Sequence, residues 1–232
     1  MKEIWNESCI LSPSLICLDM CNLEREVKTL EKAGIKMLHV DILDGHFSPS
    51  MPLGLDTVRQ LRAKTDMFFD CHVMVTEQDY FVDELLDIGV DQIVFHGETQ
   101  PHIDGMLNRI HAKGVKAGVA LKPATPLSEL EYVLDKCDTV LLMLINPGYA
   151  FVKGEKQVTY ADRKIRELRK MITDRGFKTK IEVDGRISPD NIRTYGKSDV
   201  DIFVTGSTCI KKDNMEQSLE DLMKLHDLVI GG

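Results

Sequence analysis

Short runs of histidine and aspartate recur along the sequence, each at the end of an apolar stretch. His39 and Asp41 end one stretch, Asp70 and His72 end a second, and Asp184 ends a third. Residues i and i+2 of a β-strand lie on one face, so each pair shares one side of its strand. Convergence of the two imidazoles with Asp41 and Asp184 would form a site for one divalent cation, and Zn, Fe, Mn or Co would all suit it. The alternative is that the histidines are buried beside acids without a metal.

Asp41 and Asp184 also suit proton transfer. Inversion of a carbon beside a carbonyl requires one group to remove a proton from one face and a second group to return a proton to the other face. A bound cation would stabilise the negative charge that develops between the two steps. Because the two aspartates end different strands, they could flank a sugar that lies across the end of the sheet.

Small and polarizable side chains follow other predicted strands. Met74 and Met143 lie at strand ends, where a thioether could shield a flat intermediate from water, although many methionines only fill the core. Gly206 and Ser207 follow the last strand, and small residues before a helix expose backbone N–H groups that can hold a phosphate. An ordinary turn is the alternative for Gly206 and Ser207.

Eight short apolar or β-branched runs alternate with segments of helical periodicity from end to end. Several runs are almost continuously apolar, which is typical of strands covered on both faces, and each gap is long enough for a helix. The predicted strands are Ile10–Leu15, Met37–Ile42, Phe68–Val73, Gln92–Phe95, Lys116–Leu121, Thr139–Leu144, Lys180–Val183 and Asp201–Val204.

Helix signals occupy the intervening segments. Asn22 is predicted to cap the first helix, which ends near Gly34, and Ser188 caps a helix that begins with Pro189. Strand–helix alternation alone also fits a doubly wound open sheet, but the count of eight favours an α/β fold of the (β/α)8 TIM-barrel type. With no linker and no internal repeat, residues 1–232 are predicted to form a single barrel domain.

Composition restricts the partners and the compartment. A net charge of -8 argues against binding to nucleic acid or to an anionic membrane, and no apolar run of about 18 residues predicts a transmembrane helix. The N-terminal segment is charged and then interrupted by Pro13, which makes a poor signal peptide. The six cysteines form no CxxC pair, so we expect reduced thiols and a cytoplasmic protein.

Taken in order, six segments resemble the ribulose-phosphate 3-epimerase family over nearly the whole chain. They are Ser12–Leu15, His39–Phe47, Asp70–Met74, Pro123–Pro126, Asn146–Gly148 and Ile181–Gly185. The blocks H-V-D-x-x-D-G-H-F and E-V-D-G are highly specific. The resemblance implies a barrel enzyme that inverts C3 of a ketose phosphate, converting D-ribulose 5-phosphate to D-xylulose 5-phosphate. The residues around His72 also resemble the branch that acts on D-allulose 6-phosphate.

The same resemblance implies roles for individual residues. His39, Asp41, His72 and Asp184 would bind the metal, and the two aspartates would be the acid/base groups. Ser14 would contact the substrate, while Met74 and Met143 would cover the intermediate. The other predicted substrate contacts are His72, Gly148, Gly185, Arg186, Gly206 and Ser207. Homologous barrels often self-associate, so a homo-oligomer is expected.

Three departures from the family pattern stand out: the first removes one thioether of the cap over the intermediate, and the other two fall on the loops that hold the substrate's phosphate and so affect substrate identity rather than the metal. Leu43 stands where the family usually has methionine, and Tyr149–Gly154 replaces a glycine-rich segment. Arg186 replaces a small residue after Asp-Gly, and we expect its planar set of donors to replace lost backbone contacts to a phosphate. The opposing interpretation is that Arg186 fills the pocket and the ketose is different, or unphosphorylated.

Two other functions compete with epimerisation. Related barrels with decarboxylase or aldol-type synthase activity place Asp-x-Lys-x-x-Asp at the third strand, whereas this chain has Asp70-Cys71-His72 and lacks the lysine. A non-catalytic metal or sugar-phosphate binder would keep the same scaffold. The presence of all four ligands and both bases argues against that second alternative.

Overall fold

The computed structural model describes residues 3–148, 152–196 and 198–231. The strands are β1 (Ile10–Pro13), β2 (Met37–Leu43), β3 (Phe68–Met74), β4 (Gln92–His96), β5 (Lys116–Leu121), β6 (Thr139–Met143), β7 (Lys180–Asp184) and β8 (Ile202–Thr205). The α-helices are α1 (Leu23–Lys32), α2 (Leu55–Arg62), α3 (Gln78–Ile88), α4 (Ile103–His111), α5 (Ala161–Asp174), α6 (Pro189–Tyr195) and α7 (Met215–Gly231). Every end of a predicted strand lies within two residues of an observed end.

The eight strands form one parallel sheet with the order β1-β8-β7-β6-β5-β4-β3-β2. A parallel bridge between Ser14 and His39 joins the two edges, so the sheet closes into a barrel. Both β2 and β3 are buried at every position, as the continuous apolar pattern predicts. The barrel prediction is therefore confirmed. Closure brings the C-terminal ends of β2, β3 and β7 around one opening.

The expectation of a helix in every gap between strands is wrong for the connection from β5 to β6. There, two short 3-10 helices, Leu127–Leu130 and Leu134–Lys136, take the place of an α-helix. Pro123 and Pro126 occupy the start of this connection, and proline restricts the backbone and removes an N–H donor.

Two predicted helix boundaries have different outcomes. Ser188 accepts a hydrogen bond from the Asn191 N–H in a capping box with Pro189 at the first helical position, as predicted. Asn22 directly precedes α1, but its side chain donates to the Asp19 carboxylate at 2.7 Å and makes no cap hydrogen bond. The start of α1 is thus where the sequence predicts it, while the capping contact predicted for Asn22 is wrong.

An apolar plug closes the N-terminal end of the barrel. Trp5 packs on a buried cluster at this end, with its ring stacked on Phe68 at a centroid distance of 5.8 Å. The cluster consists of Ile4, Ile10, Met37, Phe68 and Ile202, so its side chains present no hydrogen-bonding group to a ligand. The buried charged residues lie instead toward the opposite end.

Among the described helices, none is both long and apolar enough to span a membrane.

Candidate active site

Four side chains predicted as metal ligands meet at the C-terminal end of the barrel. His39 and Asp41 come from β2, His72 from β3 and Asp184 from β7, and one ligand atom from each lies within 4.8 Å of the others. The register of β2 and β3 pairs Asp41 with His72. The i, i+2 spacing of His39 and Asp41 puts both side chains on the inner face. Convergence of the four residues therefore follows from strand register and barrel closure together.

The nitrogen atoms that face the carboxylates fit a divalent cation. His39 Nε2 lies 3.4 Å from Asp41 Oδ1, and His72 Nδ1 lies 3.7 Å from the same oxygen and 3.9 Å from Asp184 Oδ2. Neither nitrogen has a hydrogen-bond partner among the described residues, although both are buried. Ligands bound about 2.1 Å from a tetrahedral ion lie roughly 3.4 Å apart. Both the separations and the unpartnered nitrogens suit a shared cation.

A second set of buried polar groups supports His39 from below. His39 Nδ1 lies 2.8 Å from Asp70 Oδ2, and Gln92 Nε2 donates to the other oxygen of Asp70 at 2.7 Å. Thr139 Oγ1 in turn donates to Gln92 Oε1 at 2.9 Å. A carboxylate on one ring nitrogen directs the other nitrogen of a histidine toward a metal. The sequence contained a signal for Asp70, because it lies two residues before His72 on the same face, but no role was predicted from it.

Glu182 is another acid whose role sequence reasoning missed. Its Oε1 lies 3.2 Å from His39 Nδ1, and its side chain is fully buried. Burial raises the pKa of Glu182 well above its usual value, and the negative charge of Asp70 raises it further. Burial beside Asp70 therefore favours the uncharged form of Glu182, which avoids two negative charges side by side in the core.

Electrostatic interactions shift the pKa values of the two predicted acid/base groups, Asp41 and Asp184, in opposite directions. Although burial opposes ionisation, the charges and hydrogen bonds of His39 and His72 lower the pKa of Asp41. Burial raises the pKa of Asp184, the charge of His39 offsets part of that rise, and the charge of Asp41 adds to it. The pKa of His39 is lowered by burial, but Asp41 and Asp70 outweigh burial and raise it well above its usual value. Two neighbouring carboxyl groups with opposite pKa shifts are an arrangement suited to acid/base work.

A pocket opens directly beside the two aspartates. It encloses about 680 Å³ when the part open to solvent is included. Asp41 and Asp184 both line it, and His39 and His72 are fully buried. The predicted substrate contacts that line the same pocket are Ser14, Met74, Met143, Gly148, Gly185, Arg186, Gly206 and Ser207. The structure thus brings these residues together, while their roles stay predictions.

Several predicted contacts have a more specific geometry than the sequence indicated. The Ser14 hydroxyl donates to Asp41 Oδ2 at 2.6 Å, which leaves Asp41 Oδ1 toward the histidines. Leu43 pairs with Met74 in the register of β2 and β3, and Met143 pairs with Asp184 across β6 and β7. Apolar side chains therefore surround the carboxylates at the rim of the pocket.

The segment after β8 differs from the predicted entry into a helix. Gly206 accepts hydrogen bonds from the backbone N–H groups of Cys209 and Ile210 in a turn, and α7 begins only at Met215. A side chain at Gly206 would place its Cβ 2.9 Å from the Cys17 sulfur. A larger residue here would therefore require the Cys17 side chain to shift at the pocket wall. The segment therefore forms a turn at the pocket wall, and phosphate binding by Gly206 and Ser207 stays a prediction.

Arg186 lies in the wall of the pocket on the loop after β7. Its backbone adopts a φ of 52°, and its Nη2 donates to the Val152 carbonyl at 2.9 Å. The guanidinium therefore joins the loop after β7 to the loop after β6. Of the predicted departure Tyr149–Gly154, residues 149–151 lie outside the described residues, and Val152 is the first described residue on the far side.

The chain matches the family model described as the ribulose-phosphate 3 epimerase family over residues 10–210. It belongs to that family. The match includes all four candidate metal ligands and the residues that line the pocket. The resemblance inferred from sequence motifs is confirmed.

Several ribulose-phosphate 3-epimerases align in sequence with this chain over most of their length. The chain is 36% identical to the chloroplastic ribulose-5-phosphate-3-epimerase of Arabidopsis thaliana over 92% of this chain and 75% of the relative. It is 35% identical to the ribulose-phosphate 3-epimerase of Methanocaldococcus jannaschii, covering 91% and 88% respectively. For the enzyme of the same name from Escherichia coli K12 the identity is 33%, with coverage of 92% and 94%.

Solved structures at low identity share the barrel alone. KGPDC from Streptococcus mutans superposes with a TM-score of 0.70 at 14% identity, over 97% of this chain and 100% of that one. The 3-hexulose-6-phosphate synthase of Salmonella typhimurium gives 0.61 at 16% identity, over 94% and 99%. These comparisons support the fold and say nothing about the reaction of this chain.

Proposed function

We propose that this protein inverts C3 of D-ribulose 5-phosphate to give D-xylulose 5-phosphate. Membership of the ribulose-phosphate 3-epimerase family supports a ketose phosphate as the substrate class. The observation that carries the proposal is the placement of Asp41 and Asp184 on one pocket, each next to the histidine cluster. Two carboxylates from different strands can address the two faces of one sugar carbon.

We propose that His39, Asp41, His72 and Asp184 hold one divalent cation. When bound, the cation supplies Lewis acidity to the carbonyl and neighbouring hydroxyl oxygens of the ketose. The two unpartnered nitrogens, His39 Nε2 and His72 Nδ1, support this assignment. The mixed nitrogen and oxygen donor set leaves the identity of the ion open among Zn, Fe, Mn and Co.

In the proposed mechanism, the two aspartates exchange protons with C3 of the sugar. One carboxylate removes the C3 proton from one face, and the other carboxyl group delivers a proton to the opposite face of the planar enediolate. Ser14 holds Asp41 Oδ2 at 2.6 Å and so fixes the plane of that carboxylate. Met74 and Met143, both buried at the rim of the pocket, exclude water while the carbon is planar.

Arg186 is the proposed anchor of the substrate phosphate. Arg186 lines the pocket together with Gly206 and Ser207, on the loops after β7 and β8 that commonly bind phosphate in barrels. Replacement of Arg186 by alanine should therefore weaken a phosphorylated ketose far more than the same ketose without phosphate. An equal loss for both substrates would remove phosphate binding from the role of Arg186.

Parallel assays on the metal-loaded protein test the proposal. D-Ribulose 5-phosphate and D-allulose 6-phosphate are compared by kcat/KM, and exchange of the C3 hydrogen in D2O is followed by NMR. We expect deuterium at C3 and a preference for the five-carbon substrate. A preference for D-allulose 6-phosphate would change the substrate assignment. Binding of either sugar without exchange would identify a non-catalytic binder.

We also propose a cytoplasmic location and a homo-oligomeric assembly. The six cysteines are free thiols, which supports a reducing compartment such as the cytoplasm. Leu228 and Ile230 on α7 are 73% and 50% exposed, which supports self-association through this helix. Light scattering after size-exclusion chromatography measures the number of subunits, and a monomer at micromolar concentration would reject the homo-oligomer.

A further inference from the structure

A line of three hydrogen-bonding side chains leads away from the candidate metal site. His72 Nε2 lies 2.9 Å from His96 Nε2, and His96 Nδ1 lies 2.8 Å from Glu98 Oε2. Both histidines are fully buried; His72 lies within β3, and His96 is the last residue of the neighbouring strand β4. Neither His96 nor Glu98 is among the residues that line the pocket.

Counting hydrogens along this line leaves one consistent assignment for neutral rings. His72 Nδ1 has no hydrogen-bond partner, since the nearest carboxylate oxygens are 3.7 and 3.9 Å away, so a hydrogen on that atom would be buried without an acceptor. The hydrogen of His72 therefore belongs on Nε2, and His96 Nε2 must accept it. His96 then carries its own hydrogen on Nδ1, which donates to Glu98.

Glu98 is held in place by contacts of its own. Its second oxygen, Oε1, accepts hydrogen bonds from the Lys122 backbone N–H at 2.7 Å and from the Thr125 hydroxyl. The carboxylate therefore acts only as an acceptor toward His96. The His96 ring is fixed from its other side by Phe47, with ring centroids 4.6 Å apart.

We propose that His96 and Glu98 are positioning residues that hold His72 in the tautomer whose bare Nδ1 faces Asp41 and Asp184. This inference rests on the proposed metal-dependent function, because it concerns how the site is prepared for the cation. Asp70 performs the corresponding task for His39 by a direct contact. For His72 the carboxylate acts at one remove, through a second imidazole. A hydrophobic residue at position 96 could not accept the His72 hydrogen.

The first experiment observes the tautomer in the unaltered protein. Long-range nitrogen–proton NMR spectra of the metal-stripped chain, labelled with ¹⁵N in its histidines, distinguish a protonated ring nitrogen from a bare one. We expect His72 to carry its hydrogen on Nε2 and His96 on Nδ1. A His72 hydrogen on Nδ1 would overturn the proposal, and this result does not depend on any variant folding.

The second experiment measures zinc affinity by calorimetric titration of metal-stripped variants. His96→Leu removes the acceptor and should weaken zinc binding by about 10–100-fold, the range usual for loss of a group behind a metal ligand. His96→Gln places a carbonyl oxygen near the position of Nε2 and should recover most of that loss. Glu98→Gln should weaken zinc binding by an amount between the losses of His96→Leu and His96→Gln. Its amide can donate to His96 Nδ1, which would reverse the direction of the hydrogen bonds that lead to His72.

His111→Gln is the matched control. His111 makes the same type of contact, Nε2 to Asp138 Oδ2 at 2.8 Å, on the outer surface of α4 away from the cluster. Its substitution should leave zinc affinity unchanged. Equal zinc affinity in His96→Leu and the unaltered protein would overturn the positioning role. If the unaltered protein bound no zinc and still epimerised after metal stripping, the proposed cation site would be rejected, and with it the premise of this inference, while the epimerase activity itself would stand.

Discussion

Gly148 provides a test of how the loops at the pocket are packed. It has a φ of 76°, and a Cβ added there would lie 1.6 Å from Ser48 Oγ and 2.6 Å from Ser48 Cβ. Rotation of the hydroxyl removes the first overlap but not the second. Gly148→Ala should therefore destabilise the protein twice, once through the left-handed backbone and once through contact with Ser48.

Both contributions can be estimated. Alanine in the left-handed region costs about 1–2 kcal/mol, and overpacking of a tight contact costs about 1–3 kcal/mol. The expected loss of unfolding free energy for Gly148→Ala is the sum, about 2–5 kcal/mol. Ser48→Gly removes the second contribution because no Cβ is left at position 48, at an entropic cost of about 0.5–1 kcal/mol. Ser48→Ala keeps the Cβ and so keeps the 2.6 Å overlap.

The assay is urea unfolding followed by circular dichroism, applied to the single variants and to both double variants. Gly148→Ala combined with Ser48→Gly should be more stable than the sum of its single effects by about 1–3 kcal/mol, well above the roughly 0.5 kcal/mol error of additivity. The double variant with Ser48→Ala should exceed the stability expected from the sum of its single effects by a much smaller amount. If the two double variants gained equally, the hydroxyl alone would cause the strain. If neither gained, the packing inferred between the loops after β2 and β6 would be refuted.

Three further outcomes follow from the site. Asp184→Asn should keep the fold and lower kcat by about 10²–10⁴-fold, since one face of C3 then lacks its proton carrier; near-normal turnover would reject the two-base assignment. Chelation should abolish activity and added metal should restore it, whereas full activity in metal-free protein would remove the cation from the scheme. Asp44 accepts backbone hydrogen bonds from Thr76, Phe47 and His46, which lower its pKa to about 2 although burial opposes ionisation. Its stabilising contribution is therefore complete above about pH 4 and is lost as the pH falls toward 2. The difference in urea midpoint between the unaltered protein and Asp44→Asn should then be constant from pH 8 to 5 and narrow below pH 4. A difference that does not change with pH would contradict the assignment of this stabilisation to the ionised Asp44 carboxylate.

The sequence by itself determined the strands and the residues at their ends. Strand identity follows from local periodicity and apolar content, and the i, i+2 spacing of His39 and Asp41 fixes a shared face without knowledge of any partner. Eight such strands are enough to predict the barrel. The capping box at Ser188 is equally local, because its donor and acceptor are three residues apart.

Only the tertiary structure decided which distant groups support those residues. Asp70 meets His39 because the register of β2 and β3 pairs the two residues, whereas Glu182 meets it because barrel closure brings β7 to the same interior level. Glu98 reaches His72 only through His96 on β4. Such contacts depend on strand register and side-chain direction across the barrel, which one strand's pattern does not contain. The same reason explains why the sequence could name Arg186 but not its contact with Val152 on a neighbouring loop.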